Sequence, residues 1–302
     1  MKKSRCHLLK GEKSLFGFIE KHRTLYKVQE MCSTLGVSPS GYYKWRQKPM
    51  SNRSKQNQIL LSMIRTLFEK SRHTYGPYRM MKALQKQGVF CGVNRIRNLM
   101  QSNGIKPKRR TKHKKTTRSN HNRGYSPNIV KQVFTAQRPN QLWTSDVCYI
   151  KTLQGWIYLC VVLDVFSRRI VGWSMNKRQT DRLIVNAFTC AWWSRKPDKG
   201  LTFHSDRGSQ YCSQRFRQIL QMYNCTQSMS DTGNCFDNAI TETFFKTLRA
   251  ELTYHCNFST RQEAKTELFK YIEIFYNKNR LHSAVDYCAP EEWEVNYWSK
   301  IA

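Results

Sequence analysis

Apolar residues recur with helical spacing in the first part of the chain. A short stripe formed by Val28, Met31 and Cys32 precedes a glycine turn at 35–38, and a basic aromatic segment follows at 42–46. A helix, a glycine turn and a basic helix in this order are typical of a helix-turn-helix unit, whose second helix enters the major groove of DNA. The pattern therefore predicts such a unit near the N-terminus.

Helical spacing continues across residues 54–103. Three segments with apolar stripes are separated by a turn at 73–77 and by Gly88, a residue that favours helix ends. We therefore expect a second helical region, with a second unit resembling a helix-turn-helix.

The pattern changes at Gln141, where runs rich in Val, Ile, Tyr and Trp predict strands. The predicted elements, in chain order, are strands at 142–150, 156–165 and 169–175, a helix at 180–195, a strand at 201–204, a helix at 211–224, a strand at 225–230, a helix around 242 and a helix at 261–280. Three antiparallel strands followed by alternating helix and strand is the order of an RNase H-like α/β fold with a five-stranded mixed sheet.

Two acids in the second half stand at element ends that a sheet fold can bring together. Asp206 follows the strand at 201–204, and Glu242 lies in a segment with helical period. Lys246 and Arg249 follow Glu242 at i+4 and i+7 and share its face, while an apolar face lies roughly opposite. We expect the apolar face to pack on the core and the charged face to meet a ligand.

Asp146 is the candidate third acid, because it lies inside a predicted strand, where aspartate is disfavoured. In an RNase H-like sheet the first strand lies beside the fourth, so Asp146 and Asp206 should approach each other and the Glu242 helix can cross nearby. Three such carboxylates suit two Mg²⁺ ions, or Mn²⁺ as an alternative, held roughly 4 Å apart for phosphodiester chemistry. Asp146 would bridge both ions, and Asp206 and Glu242 would each bind one.

Other acids compete for these positions. Asp164, Asp231, Asp237 and Glu251 are alternatives to a member of this trio. A structural role is expected for Asp164, which precedes a turn, and Asp237 is expected with Asn238 to cap the Glu242 helix.

The charge distribution indicates a polyanionic partner. The net charge is +32. Residues 1–145 hold 32 Lys and Arg against 4 acids, a net of +28, and residues 146–302 hold 20 against 16, a net of +4. The segment 105–124 alone carries 9 Lys and Arg and no acid, and is predicted to be a basic linker that orders along a phosphate backbone.

Composition excludes several other classes. At 302 residues the chain predicts two or three domains. The 11 cysteines show no C-x-x-C spacing, which argues against a zinc finger. No apolar run is long enough for a membrane span, and no apolar segment follows the basic N-terminus as in a secretory signal, so a cytoplasmic location is expected.

Several sequence motifs resemble those of a known family. They are RPNQLWTSDVCYI, LCVVLDVFSRRIVGW, HSDRGSQY, GNCFDNAITETFFKTLRAE and IEIFYNKNRLHSA, with LGVSPSGYYKW and TYGPYRMMKAL in the N-terminal part. With these, the chain resembles the larger-frame transposases of the insertion-sequence three family, which carry a retroviral-integrase-like catalytic core. The resemblance runs from about Tyr26 to Trp293.

The resemblance implies an activity and its residues. Asp146, Asp206 and Glu242 would be the DDE triad, and Arg249 the basic residue seven positions after the glutamate. The family cuts DNA at its element's ends and joins the freed 3′ ends to target DNA with Mg²⁺. The full transposase is usually a frameshift fusion with an upstream frame, and we expect a homo-oligomer on DNA in the nucleoid. Asp231 departs from the family, which more often has a basic residue there.

These observations divide the chain into four expected regions. They are a helix-turn-helix region at 1–50, a second helical DNA-binding region at 51–104, a basic linker at 105–135 and an RNase H-like integrase catalytic core at 136–302. The expected DNA contacts beyond Lys246 and Arg249 are Tyr43, Lys44 and Arg46 on the N-terminal helix and Lys108, Arg109 and Arg110 in the linker.

Two alternatives remain open. The first is an RNase H-like nuclease that hydrolyses DNA without strand transfer, against which the long basic N-terminal half argues. The second is a non-catalytic DNA-binding protein from a decayed element, against which the intact set of acids argues.

Overall fold

The computed structural model describes residues 12–47, 51–108, 124–231 and 235–301. The chain divides into two compact units, Met1–Leu61 and Ser62–Ala302. Helix α4, Asn52–Lys70, runs across the boundary between them.

The first unit contains three short helices, α1 (Glu12–His22), α2 (Val28–Leu35) and α3 (Pro39–Gln47). Helix α2 ends at Gly36, which has a φ of 69°, a left-handed conformation that suits glycine. Ser38 then accepts a hydrogen bond from the Gly41 amide at 3.3 Å, next to the start of α3. The helix, turn and helix predicted from the sequence are thus present. Their small core consists of Phe16, Ile19, Met31, Cys32 and Tyr42.

The second unit begins with helices α5 (Pro77–Lys86) and α6 (Val93–Ser102). Their buried side includes Met80 and Ile96. Tyr75, just before α5, is buried, and its hydroxyl donates to Asn279 O at 3.0 Å and accepts from Leu281 N at 2.8 Å. This helical region is therefore fastened to the C-terminal part of the same unit.

A five-stranded mixed sheet forms the centre of the second unit, in the order β3-β2-β1-β4-β5. The strands are β1 (Leu142–Thr152), β2 (Gly155–Asp164), β3 (Ile170–Asn176), β4 (Thr202–Ser205) and β5 (Thr226–Met229). The first three are antiparallel, and β4 and β5 run parallel to β1 and to each other. The predicted RNase H-like fold is confirmed.

Helices cover both faces of this sheet. Helices α7 (Asp181–Arg195) and α8 (Gln214–Met222) bury one face, and α9 (Ala239–Glu251) and α10 (Arg261–Phe269) bury the other. Helix α7 approaches β3 closely at Gly172, where a Cβ atom would lie 2.4 Å from Ala187 O. Helix α11, Pro290–Trp298, follows near the C-terminus.

The single helix predicted at 261–280 was wrong in its second half. After α10 the chain continues as a π-helix, Lys270–Tyr276. A wider turn brings the adjacent residues Tyr271 and Ile272 and the adjacent residues Phe275 and Tyr276 into the core together. Among the residues described, no helix has the length and apolar character needed to cross a membrane.

Candidate active site

Asp146 and Asp206 are brought together by the pairing of β1 with β4. The two strands are parallel, and Ser145 lies opposite Ser205, so the next residue of each strand lies at the same level. The Oδ1 atom of Asp146 accepts a hydrogen bond from the Val147 amide at 2.7 Å. The sheet register thus accounts for the predicted approach of these two acids.

Asp206 is the first residue after β4, and its side chain is held by the turn that follows. Its Oδ1 accepts from the Gly208 amide at 3.0 Å. A Cβ atom at Gly208 would lie 2.9 Å from the same oxygen. A side chain at position 208 would therefore press on the Asp206 carboxylate and turn it from its present position.

Helix α9, which carries Glu242, is bound to the two residues that precede Asp146. Thr241 donates a hydrogen bond to the Thr144 hydroxyl at 2.8 Å, and the Asn238 amide donates to Ser145 O at 3.2 Å. All four residues are buried. These contacts fix the start of α9 against β1.

The prediction that Asp237 and Asn238 cap this helix was right for the position of Asn238 but wrong about the capping hydrogen bond. Asn238 stands at the N-cap position, but its side chain makes no capping hydrogen bond and is turned to Ser145. The Asp237 carboxylate accepts from the Asp231 amide at 2.7 Å. The Asp237 and Asn238 side chains instead contact the Asp231 amide and Ser145 O, because polar groups in the interior require hydrogen-bond partners.

Glu242 lies on the outer side of α9. Its Oε2 is 3.0 Å from Lys246 Nζ, and the side chains are 35% and 57% exposed respectively. Arg249, one turn further, is half-buried. The helix face predicted from the spacing of these three residues is therefore present, and two of its members form an ion pair.

The pKa values of Asp146 and Asp206 are affected by the neighbouring acids. Burial raises the pKa of Asp146 well above its usual value, and the negative charges of Asp206 and Glu242 raise it further, while Arg249 opposes the shift. Burial and the charge of Glu242 also raise the pKa of Asp206. Asp206 and Glu242 thus lie close enough to Asp146 to affect its protonation.

This donor set fits a hard divalent cation in chemistry and in charge. Carboxylate oxygens are the ligands that Mg²⁺ prefers, and an added cation would offset the repulsion just described. The fit is incomplete in geometry. Within the described ranges, no three His, Cys, Asp or Glu side chains converge closely enough to hold a metal ion, and Glu242 is paired with Lys246.

The rival acids have other partners. Asp164 is fully buried and accepts from the Asn140 and Phe166 amides and the Trp143 indole, at 2.6, 2.8 and 3.3 Å. Burial raises its pKa to about 6. These three N–H donors explain an acid at the end of a strand, as the structural interpretation expected.

Glu251 is also structural in its contacts. Its carboxylate receives Arg280 at 2.7–3.0 Å and the Tyr271 hydroxyl at 2.8 Å, and all three side chains are buried. This ion pair holds the far end of α9 to the segment after the π-helix.

The predicted DNA contacts differ in their surroundings. Tyr43 and Lys44 are exposed on α3, and Arg46 is exposed but lies 3.5 Å from Glu20. Lys108 donates to Glu251 O at 3.2 Å, and burial together with the charge of Arg72 lowers its pKa. Arg109 and Arg110 lie outside the described residues.

Sequence reasoning missed Arg207, Tyr125 and Asn128. The Arg207 guanidinium lies 4.6 Å from the centre of the Tyr125 ring, and its Nε donates to Ser230 O at 2.7 Å. Asn128 donates to Asp231 and Asp237. Arg207 had a signal in its position directly after Asp206, whereas the two others depend on long-range contacts.

Family models match most of the chain. Residues 136–235 and 242–296 match two models of an integrase core domain, and residues 55–113 match an HTH-like domain.

Relatives cover nearly the whole chain. An uncharacterized 31 kDa protein of insertion element IS600 from Shigella sonnei is 39% identical over 90% of this chain and 100% of its own length. Transposase InsF for insertion sequence IS3A of Escherichia coli strain K12 is 36% identical over 92% and 97%. The chain belongs to the insertion-sequence three family of transposases. The transposase for insertion sequence element IS904 of Lactococcus lactis is 41% identical over 81% of this transposase and 96% of its own length.

The chain also has partial matches among solved structures. An intasome of simian T-cell lymphotropic virus in complex with PP2A regulatory subunit B56 gamma matches with a TM-score of 0.43 and 16% identity, over 71% of this transposase and 70% of that chain. The HTLV-2 integrase catalytic core domain in complex with magnesium, in its trimeric form, matches with a TM-score of 0.41 and 20% identity, over 53% and 99%.

Proposed function

We propose that Asp146, Asp206 and Glu242 are the catalytic triad of this transposase and together bind two Mg²⁺ ions, or Mn²⁺ in their place. The observation that carries the proposal is geometric: the pairing of β1 with β4 and the contacts of α9 with Thr144 and Ser145 bring Asp206 and Glu242 close enough to Asp146 to raise its pKa. By contrast, Asp164 accepts three N–H hydrogen bonds, and Glu251 is paired with the buried Arg280.

The reaction proposed is cleavage at the ends of an insertion sequence followed by strand transfer. Bound divalent cations would supply activation of water or a 3′-hydroxyl and stabilisation of the leaving oxygen. Asp146 and Asp206, whose positions are set by the sheet, would hold the metal ions. Glu242 completes the set when it exchanges Lys246 for a cation, because an exposed i,i+4 ion pair is worth only about 0.5 kcal/mol.

The basic side chains beside the triad would bind the DNA. Lys246 and Arg249 lie on the same helix face as Glu242 and suit the phosphates of the strand being cut. Tyr43, Lys44 and Arg46 on α3, with Lys108, Arg109 and Arg110, would bind other parts of the DNA backbone.

The partners proposed are DNA at the element ends and at the target, an upstream-frame protein or fusion, and further copies of this chain assembled on DNA. The proposal that DNA is a partner is supported by charge, since the first 145 residues carry a net +28. The site of action would be the bacterial nucleoid in the cytoplasm.

A labelled duplex with an element end tests the proposal directly. The transposase is incubated with Mg²⁺ and the duplex, alone and with the upstream-frame protein, and Glu242→Gln serves as the inactive comparison. Joined products that disappear in Glu242→Gln support transposition. Cleavage without joining would indicate the nuclease, and a DNA complex without cleavage in either mixture would indicate a binding protein.

A further inference from the structure

One amide bridges two carboxylates beside the candidate active site. Asn128 Nδ2 donates to Asp231 Oδ2 at 2.8 Å and to Asp237 Oδ2 at 3.0 Å. The same Asp237 oxygen accepts from the Asp231 amide at 2.7 Å. Asn128 Oδ1 accepts from the Lys131 amide at 2.9 Å, which fixes which way the amide points. We name this cluster of Asn128, Asp231 and Asp237 the amide bridge.

The chain around Asn128 is docked along β5. Ser126 donates to the Gln227 side chain at 2.9 Å, and the Ile129 amide donates to the Ser228 hydroxyl at 2.9 Å. The Met229 amide in turn donates to Pro127 O at 3.3 Å. Asn128 is therefore held by its neighbours on both sides and is not a mobile surface residue.

One arm of the amide bridge reaches the base of α9. Asp237 is 1% exposed and lies in the short 3₁₀ turn, Cys235–Asn238, that leads into the helix. Its carbonyl oxygen contacts His204 Nε2 at 2.7 Å. Asn238, the next residue, holds Ser145 beside Asp146. A shift of Asp237 would therefore move the start of the helix that carries Glu242.

The other arm reaches the residue after Asp206. Asp231 Oδ1 lies 3.6 Å from the Arg207 guanidinium, which also stacks on Tyr125. Asp231 thus connects the turn after β4 with the base of α9, and Asn128 holds the two acids together although their charges repel. The sequence alone left the acid at position 231 without explanation.

We propose that Asn128 is a positioning residue for the transposition reaction, which sets Glu242 against Asp206 by holding Asp231 and Asp237 on one amide. In this role Asn128 acts through Asp231 and Asp237 and not on the reacting atoms. The proposal rests on the proposed triad. Without the amide, the buried Asp237 carboxylate loses a hydrogen-bond donor, and the base of α9 moves to restore one.

A purely structural role would lower stability without a specific effect on the site, so the test needs a matched variant. Ser126→Ala removes a hydrogen bond of the same docked segment but leaves both acids untouched. Asn128→Ala and Ser126→Ala are compared for Tm, for strand transfer of an element-end duplex, and for Mn²⁺ binding measured by electron paramagnetic resonance in the absence of DNA.

The expected result is that Asn128→Ala weakens Mn²⁺ binding and slows strand transfer at least about tenfold, whereas Ser126→Ala stays within about twofold of wild type. If the two variants lose the same activity and Mn²⁺ affinity for the same change in Tm, Asn128 is structural only and the proposal is overturned. Should Asn128→Ala not fold, Asp231→Ala carries the test by removing one arm at a side chain that is 59% exposed.

The Glu242→Gln variant distinguishes a failure of the positioning role of Asn128 from a failure of the proposed triad. If wild type binds no Mn²⁺, or Glu242→Gln binds it as well as wild type does, the proposed triad fails. If Glu242→Gln loses Mn²⁺ while Asn128→Ala matches Ser126→Ala, only the positioning role fails.

Discussion

The inner and outer faces of α9 are held by different interactions. The inner face is fixed at its start by the hydrogen bonds of Thr241 and Asn238 and at its end by the buried pair of Glu251 with Arg280. The outer face has one exposed ion pair, Glu242 with Lys246. The inner face therefore determines where the helix lies, and the outer face keeps its charges available for exchange with ligands. Substitutions on the two faces should separate stability from activity.

The largest effect is expected on the outer face. Glu242→Gln should lower strand transfer by about a thousandfold, because one charged ligand of the proposed metal site is lost. Tm should change by no more than about 1 °C, since the exposed ion pair contributes little. Strand-transfer rates and thermal unfolding measure the two quantities. Thr243→Ala, at the next exposed position, is the control, and a rate for Glu242→Gln within tenfold of wild type contradicts the assignment.

The far end of the inner face should give the opposite result. Glu251→Gln leaves Arg280 buried without a full counter-charge, which costs about 3–5 kcal/mol of unfolding free energy. Urea unfolding measures the loss. Asp198→Asn, in an exposed pair with Arg138, should cost under about 0.5 kcal/mol, and equal losses for the two variants would show that the buried pair is not special.

Thr241→Val tests the near end of the same face. The change removes the donor to Thr144 and leaves a buried hydroxyl unpaired, at a cost of about 1–3 kcal/mol. The double variant Thr144→Val/Thr241→Val should recover part of that loss, because neither hydroxyl then remains. A double variant as unstable as the sum of the two single variants would argue against a direct hydrogen bond.

Acid should weaken the segment that holds the far end of α9. Burial, with the charges of Arg280, Arg168 and Arg79, lowers the pKa of His282 to about 3. The folded protein keeps this histidine neutral, while the unfolded chain binds a proton below about pH 6.5, so stability is lost as the pH falls from 6.5 towards 3.

The loss of unfolding free energy caused by His282 should reach about 1–2 kcal/mol by pH 5. Asn at this position can still accept from the Ala284 amide, as His282 Nδ1 does at 3.2 Å, so His282→Asn should unfold with a flatter pH dependence. Urea unfolding at pH 7, 6 and 5 measures the slope, and identical slopes for both proteins exclude the histidine as its source.

A small effect on stability is also expected for Lys246→Gln, which removes the same ion pair as Glu242→Gln. Loss of this i,i+4 pair should cost about 0.3–0.5 kcal/mol, whereas the salt dependence of DNA binding should fall by about one unit of slope. Titration of an element-end duplex at several salt concentrations measures the slope. Lys265→Gln on α10 is the comparison, and a slope changed equally by both variants would indicate general charge alone.

Much of the core could be predicted because local patterns agree with the fold. Asp146 attracted notice as an acid inside a strand, and the parallel pairing of β1 with β4 follows from the order of the elements. Glu242, Lys246 and Arg249 share a face because helical spacing is fixed by geometry.

Other features depend on contacts between distant residues and could not be predicted. The π-helix at Lys270–Tyr276 breaks the 3.6-residue period by widening one segment. Asp237 has the residue type of a helix cap, but its carboxylate accepts a hydrogen bond from Asn128, more than 100 residues earlier in the chain. The partner choice of a buried polar group is set by tertiary packing, which spacing along the chain does not encode.

The amide bridge also bears on how the catalytic part can be isolated. A fragment cut at residue 136, where the sequence places the start of the core, would lack Asn128 and Tyr125 while retaining Asp231, Asp237 and Arg207. Two neighbouring carboxylates would then lose their shared donor, and an arginine beside Asp206 would lose its aromatic support. Truncation for biochemistry or crystallisation should therefore begin no later than residue 124, because the shorter fragment would lose activity with all three proposed catalytic acids still present.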